Sequence, residues 1–270
     1  MKLPLSFLLL IISLSVPAQI TTDGTLGPAL NLQGPNYQID ADLGQQHGGN
    51  LFHSFQDFNL QNHESATFSA LNQHHIQNVI SRVTGGNPSN INGLFRSTIP
   101  NADIYFLNPY GIMFGPNARL DVQGSFHAST ADYLRLKDGG RFEARNPSNS
   151  LLTVAPIESF GFLTKTPANI TVQDSTLSVL PTKTLSLVGG DLTLKQAQLT
   201  AANGRINLAS VQSSGEIDRQ DFFTNNFAKQ GTISISEHST LDASGEGAGA
   251  IFIRGGQFQL HDSLVQTNQE

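Results

Sequence analysis

Apolar and polar residues alternate in short runs along most of this chain, and Gly, Asn and Pro separate the runs. Alternation with a period of two puts successive side chains on opposite faces of an extended strand. The pattern predicts strands at 104–107, 120–122, 170–172, 185–187, 192–194, 206–208, 233–235 and 251–253. No long segment carries apolar residues at i, i+3, i+4 and i+7, so long helices are not expected.

The second half of the chain repeats loosely. Gly204-Arg205-Ile206-Asn207-Leu208, Gly231-Thr232-Ile233-Ser234-Ile235 and Gly249-Ala250-Ile251-Phe252-Ile253 each place Gly two residues before an apolar-polar-apolar triplet. The spacing is 27 residues from Ile206 to Ile233 and 18 from Ile233 to Ile251. A second kind of short element lies at 176–178, 198–201 and 240–243. A period near 20 residues built of strands and Gly/Asn corners predicts an all-β fold, a parallel β-helix. Ile206 and Leu208 would point inward and Asn207 outward. With coils ~4.8 Å apart, roughly ten would make a rod about 50 Å long. An antiparallel sandwich is the competing architecture, but it needs hairpin turns, and only Asn92-Gly93 and Asn203-Gly204 offer Asn-Gly.

Residues 19–77 break the repeat. They hold Gly27-Pro28, Gly34-Pro35, a Gly48-Gly49 turn and the aromatic run around Phe52, Phe55 and Phe58. An open β-helix end exposes strand edges, so this stretch is expected to form an N-terminal cap; the three Phe fit either its plug or ordinary strand core.

Composition changes the picture in three ways. Met1-Lys2, an apolar run from Leu5 to Leu14 and Ser15-Val16-Pro17-Ala18 have the order of a secretory signal, with cleavage expected after Ala18. The run is too short to span a bilayer, which takes ~20 residues, so the remainder is expected to be soluble. Only 13% of residues are charged, the formal charge is −6, and the basic residues do not cluster, which leaves no electrostatic footprint for nucleic acid. Cysteine is absent, so no disulfide delays unfolding or threading.

Residues 78–131 resemble the filamentous-haemagglutinin N-terminal domain, the TPS domain of two-partner secretion exoproteins, and in particular its cyanobacterial branch. The resemblance rests on Ile80-Ser81-Arg82-Val83-Thr84-Gly85-Gly86, on Asn108-Pro109-Tyr110-Gly111-Ile112 with Phe114-Gly115, and on Gly124-Ser125-Phe126 leading to Ala128-Ser129-Thr130-Ala131. Tyr110 stands where the family motif usually has Asn, and the second family motif has no counterpart near Asn72-Gln73. The resemblance implies a signal peptide at 1–18, a TPS domain at 19–145 including the cap, and continuing coils at 146–270. It implies a right-handed helix and a secreted, adhesin-like protein at the cell surface or in the medium. The implied partners are an outer-membrane transporter of the Omp85 type and cell-surface glycans or proteins. Asn108, Pro109, Gly111 and Ile112 become candidate transporter-recognition residues. Physically, Pro109 presets φ and Gly111 tolerates unusual backbone angles, so Asn-Pro-Tyr-Gly reads equally as a tight turn at a coil corner.

Residues for chemistry are sparse. His63, His74 and His75 lack the carboxylate or Cys company of a metal site and read as solvated polar residues; no metal or cofactor is expected. β-Helices also host polysaccharide lyases and hydrolases, which need convergent carboxylates. The candidates Asp174, Asp191, Glu216, Asp218, Asp221, Asp242 and Glu246 are scattered. The one dense group, Glu216-Asp218-Asp221, falls in 213–230, read as a solvated loop protruding between coils. A non-enzymatic exoprotein is the expectation, and an exported polysaccharide lyase or hydrolase is the alternative.

Overall fold

A computed structural model describes residues 19–71, 75–247 and 249–269; the expected signal segment, Asn72-Gln73 and His74 lie outside them. The chain winds into a parallel β-solenoid of about 9 turns with three faces. The longest face stacks Asn50–Phe58, Asn78–Val83, Asp103–Leu107, Phe126–Ser129, Thr184–Gly189, Arg205–Ser210 and Ala250–Arg254, all parallel. The second face runs from Ser89–Ile91 through Ile112–Phe114, Ile170–Gln173, Leu192–Lys195 and Thr232–Ser236 to Gln257–Leu260. The third face has two sheets end to end, one from Asn36–Asp40 to Arg119–Asp121, the other from Thr176–Ser178 to Leu264–Gln266.

The expected strands are present, but the triplet repeat merges two faces. Ile206 pairs with Ile251 on the long face, whereas Ile233 lies on the second face opposite Leu192. Gly204 and Gly249 precede strands of the long face and Gly231 a strand of the second face, so Gly alone does not distinguish them. The elements at 176–178, 198–201 and 240–243 do stack as one sheet.

Inward residues of the three faces form one continuous core. Its N-terminal half is aromatic, with Phe55, Phe58, Phe68, Phe95, Phe106 and Phe126 ring against ring, and its later coils are aliphatic. The expected cap is there: Ile20–Thr22 and Gln45–His47 both pair antiparallel with Asn50–Phe58, covering the N-terminal edge of the long face. Gly48-Gly49 turns the second of these hairpins. Phe55 and Phe58 belong to the solenoid core, while Phe52 points the other way.

That outward direction leads to the main departure from the sequence reading. The outer side of the long face is not solvated. A four-stranded antiparallel sheet, made of Tyr133–Leu136, Arg141–Glu143, Ile157–Phe162 and Gly215–Asp218, forms outside the solenoid. Together with the outward residues Phe52, Ile80, Tyr105, Leu107, Val188 and Ala209, its inner side forms a second apolar core. Residues 213–230 therefore do not protrude. Ile217, Phe222 and Phe227 are buried in this second core, and the strand Gly215–Asp218 closes the sheet against Ile157–Phe162. Asn207 does point outward from the solenoid, yet it is fully buried.

Two histidines are sealed in these layers. His53 points into the aromatic core beside Phe55 and Phe68, and neither ring nitrogen has a hydrogen-bond partner. His127 lies between the long face and the outer sheet, stacked on Tyr105 at 4.5 Å. Burial pushes both down from 6.5 to about 3, for His127 with help from the charge of Arg219. The unfolded chain takes up each proton near 6.5, and the folded chain does not until about 3. Stability is therefore full above pH 6.5 and falls as pH drops toward 3, by ~1.4 kcal/mol per pH unit for each histidine. Urea midpoints measured between pH 7 and 4.5 should show this slope, and His53→Leu should remove about half of it. The same substitution should raise stability at pH 7 by ~1–3 kcal/mol, because it replaces an unpartnered polar ring. An unchanged slope in His53→Leu would contradict the assignment.

Candidate functional site

The corner from Asn108 to Ile112 joins the long face to the second face, between Asp103–Leu107 and Ile112–Phe114. The Gly111 amide donates to the Asn108 carbonyl at 3.1 Å, closing a four-residue turn. Tyr110 keeps negative φ, so the turn is type I, and Gly111 leaves it with φ +126°, a value side-chain-bearing residues rarely adopt. The Asn108 side chain works inward. Its Oδ1 accepts from the Tyr110 amide at 2.9 Å, and its Nδ2 donates to the Asn87 carbonyl at 3.0 Å and to Ser89 Oγ at 2.9 Å. One amide thus fixes its own turn and the corner of the preceding coil.

The corner is also clamped from outside. Arg145 donates to the Pro109 carbonyl at 2.9 Å, lies over the Tyr110 ring at 4.9 Å, and pairs through Nε with the buried carboxylate of Asp132. Asp132 in turn accepts from the amides of Leu163 and Thr164 at 2.6 and 3.3 Å. The extrahelical segment therefore holds the motif in place. Asn108, Pro109, Gly111 and Ile112 are all buried; Tyr110 is half-buried and Met113 is exposed. Sequence reading picks out the turn but not Ser89, Asp132 or Arg145. Those three are ordinary polar residues, and only the stacking of coils and the outer sheet brings them to the corner.

The candidate carboxylates do not converge. Asp191 accepts from Gln212 Nε2 and the Thr232 amide, and Asp242 from the Ser244 amide and Gln266 Nε2. Asp174 sits in a turn with left-handed backbone. Glu216 is occupied by Tyr133 Oη at 2.6 Å, Ser159 Oγ at 3.1 Å and Arg135 at 3.1 Å. Although burial opposes it, these partners hold its carboxyl below the usual range. Asp218 and Asp221 cap the amides of Gln220 and Phe223. His63 and His75 are exposed turn residues with left-handed backbone. Among the described residues no group of His, Asp and Glu has the arrangement of a metal site.

The sequence profile of the TPS secretion domain matches residues 18–259, nearly the whole solenoid described above. The chain belongs to the TPS secretion domain family. No curated protein matches it. As a TPS secretion domain it is the exported component of a two-partner system, which implies a partner transporter. In this TPS domain the buried turn at Asn108 and the outer sheet form one unit, because Arg145, just after the strand Arg141–Glu143, reaches Pro109.

Proposed function

We propose that this chain is a non-enzymatic, adhesin-like exoprotein that leaves the periplasm through an Omp85-type outer-membrane barrel after cleavage near Ala18. Its N-terminal portion, 19–145, directs export and nucleates the solenoid, and the coils of 146–270 add onto it. The observation that carries the proposal is the burial of Asn108, Pro109, Gly111 and Ile112 in the folded corner. A transporter that recognises these residues reads them in the chain before it folds. Folding outside the cell then withdraws the motif into the corner and opposes return. The scattered carboxylates, each engaged in turns or sheet contacts, support a scaffold over a polysaccharide lyase or hydrolase. The neutral polar surface suits contact with cell-surface glycans or proteins.

The test is secretion with and without the barrel. Asn108→Asp combined with Gly111→Val should leave the protein in the periplasm. Arg145→Ala, which loosens the folded corner but leaves the motif's own sequence intact, should still be secreted. Wild-type levels of the double variant in the medium refute motif recognition. Periplasmic retention of Arg145→Ala as well would show that the corner matters through folding.

A further inference from the structure

Between the long face and the segment 211–230 lies a cavity of about 270 Å³, lined among others by His127, Thr184, Arg205, Asn207, Arg219 and Phe222. It is far from the Asn108 corner in function, and nothing in the export reading uses it. The polar groups around it form a hydrogen-bonded chain. Arg205 Nε donates to Asn207 Oδ1 at 2.6 Å, which fixes the amide and turns Nδ2 toward Ser186 Oγ at 3.1 Å. The Ser186 oxygen accepts from Asn207 and shares a hydrogen bond with His127 Nδ1 at 2.9 Å, whose direction follows the imidazole tautomer. Burial keeps the His127 ring neutral.

His127 Nε2 has no hydrogen-bond partner, and the buried Nε proton of Arg219 has no acceptor. Arg219 spends one terminal nitrogen on Tyr105 Oη at 3.3 Å, and Arg205 spends one on the Gln220 carbonyl at 2.9 Å. Neither arginine has an ion pair among the described residues. Two guanidinium groups, with Asp221 the acidic neighbour of Arg205, an orphaned N–H donor and an unpartnered imidazole nitrogen surround one cavity. Buried donors are almost always satisfied, and an unmet one is costly. The lining holds two guanidinium groups and no carboxylate.

We propose that this cavity is a binding site for a small oxyanion, a sulfate or carboxylate group, received by Arg219 and Arg205 beside the His127 ring. Guanidinium forks match such groups in geometry as well as in charge. The volume of about 270 Å³ admits the free ion or one acidic sugar unit.

Purified secreted protein is titrated by calorimetry, at constant ionic strength, with sodium sulfate, sodium galacturonate and neutral galactose. In parallel, the His127 imidazole nitrogens are followed by NMR. The anions should bind and shift the Nε2 resonance, and galactose should do neither. Arg219→Gln and Arg205→Gln should each weaken binding at least tenfold, while Arg96→Gln, which removes an ion pair with Asp121 elsewhere, should leave it unchanged. Tighter binding of galacturonate points to an acid sugar as the source, and tighter sulfate to the inorganic ion or a sulfate ester; either supports the site. If a variant fails to fold, the His127 resonance of the wild-type protein decides. Absence of any anion-dependent shift, equal binding of galactose, or affinity indifferent to both arginine substitutions overturns the proposal.

Discussion

Arg82→Leu is expected to destabilise the protein by about 3–5 kcal/mol, the range for stripping a buried charge network of one member. Arg82 occupies an outward position of Asn78–Val83 and is fully buried beneath the outer sheet. Its Nε donates to Ser54 Oγ at 2.7 Å and one terminal nitrogen to the Glu143 carbonyl and Ser150 Oγ, both at 2.6 Å. The other terminal nitrogen donates to Thr25 Oγ1 at 2.9 Å. The guanidinium also lies 4.4 Å over the Phe142 ring. Hydrogen bonds to charged groups contribute ~1.5–3 kcal/mol each, which offsets a desolvation cost of several kcal/mol. Burial still pulls the group down to about 10, although Asp23 and Glu143 oppose the shift. Leucine returns the desolvation cost but leaves the Glu143 carbonyl and the oxygens of Ser54, Ser150 and Thr25 without the Arg82 donors. Urea unfolding followed by circular dichroism should show the loss, and limited proteolysis should now cut within 137–150. Arg82→Lys should recover less than half, because an ammonium cannot span the cap, the coil and the outer sheet at once. A loss under 1 kcal/mol would mean that the outer sheet is held by its apolar face alone.

The second large effect is expected at Phe95. Its ring meets Phe58 at 5.6 Å, Phe68 at 5.1 Å, Phe106 at 5.7 Å and Phe126 at 5.3 Å, so it touches rings from several successive coils. Phe95→Ala should cost about 3–5 kcal/mol from lost burial and a cavity the stacked rings cannot collapse into. An equivalent truncation in the later core, Leu199→Ala, should cost about 2–5 kcal/mol. Chemical denaturation of both variants checks the ordering. If Phe95→Ala costs less than Leu199→Ala, the aromatic half is not the tighter part of the core.

Much of this architecture is legible in the sequence because period-two alternation, Gly/Asn corners and a coil-length repeat are local signals. Ile170, Leu185, Ile206 and Ile251 declare their inward direction without any tertiary information. The Asn108 to Gly111 turn is legible for the same reason, since Pro109 and Gly111 restrict their own backbone. The outer sheet is not legible. On the long face, Tyr105, His127, Ser186 and Asn207 occupy the outward positions, where alternation alone predicts solvent. Only the arrival of Tyr133–Leu136 and Gly215–Asp218 from distant points of the chain buries them. For that reason His63 and His75, conspicuous in the sequence, are surface turns. The histidines with perturbed chemistry, His53 and His127, looked like unremarkable strand positions. A weak signal existed in 213–230, where Ile217, Phe222 and Phe227 are more apolar than a solvated loop requires.

The outer sheet also bears on how the molecule comes apart. In a plain solenoid each coil interacts only with its neighbours, so unfolding frays inward from an end through many partly melted arrays. Here one apolar layer runs from Phe52 near the first coil to Ala209 several coils later, and Asn50 is tied to the carbonyls of Thr153 and Ala155. Removing an early coil therefore strips contacts from strands far along the axis. The spanned coils are joined into one cooperative unit. Pulled from its ends, this stretch should give way in a single rupture, while coils beyond Ala209 peel one at a time.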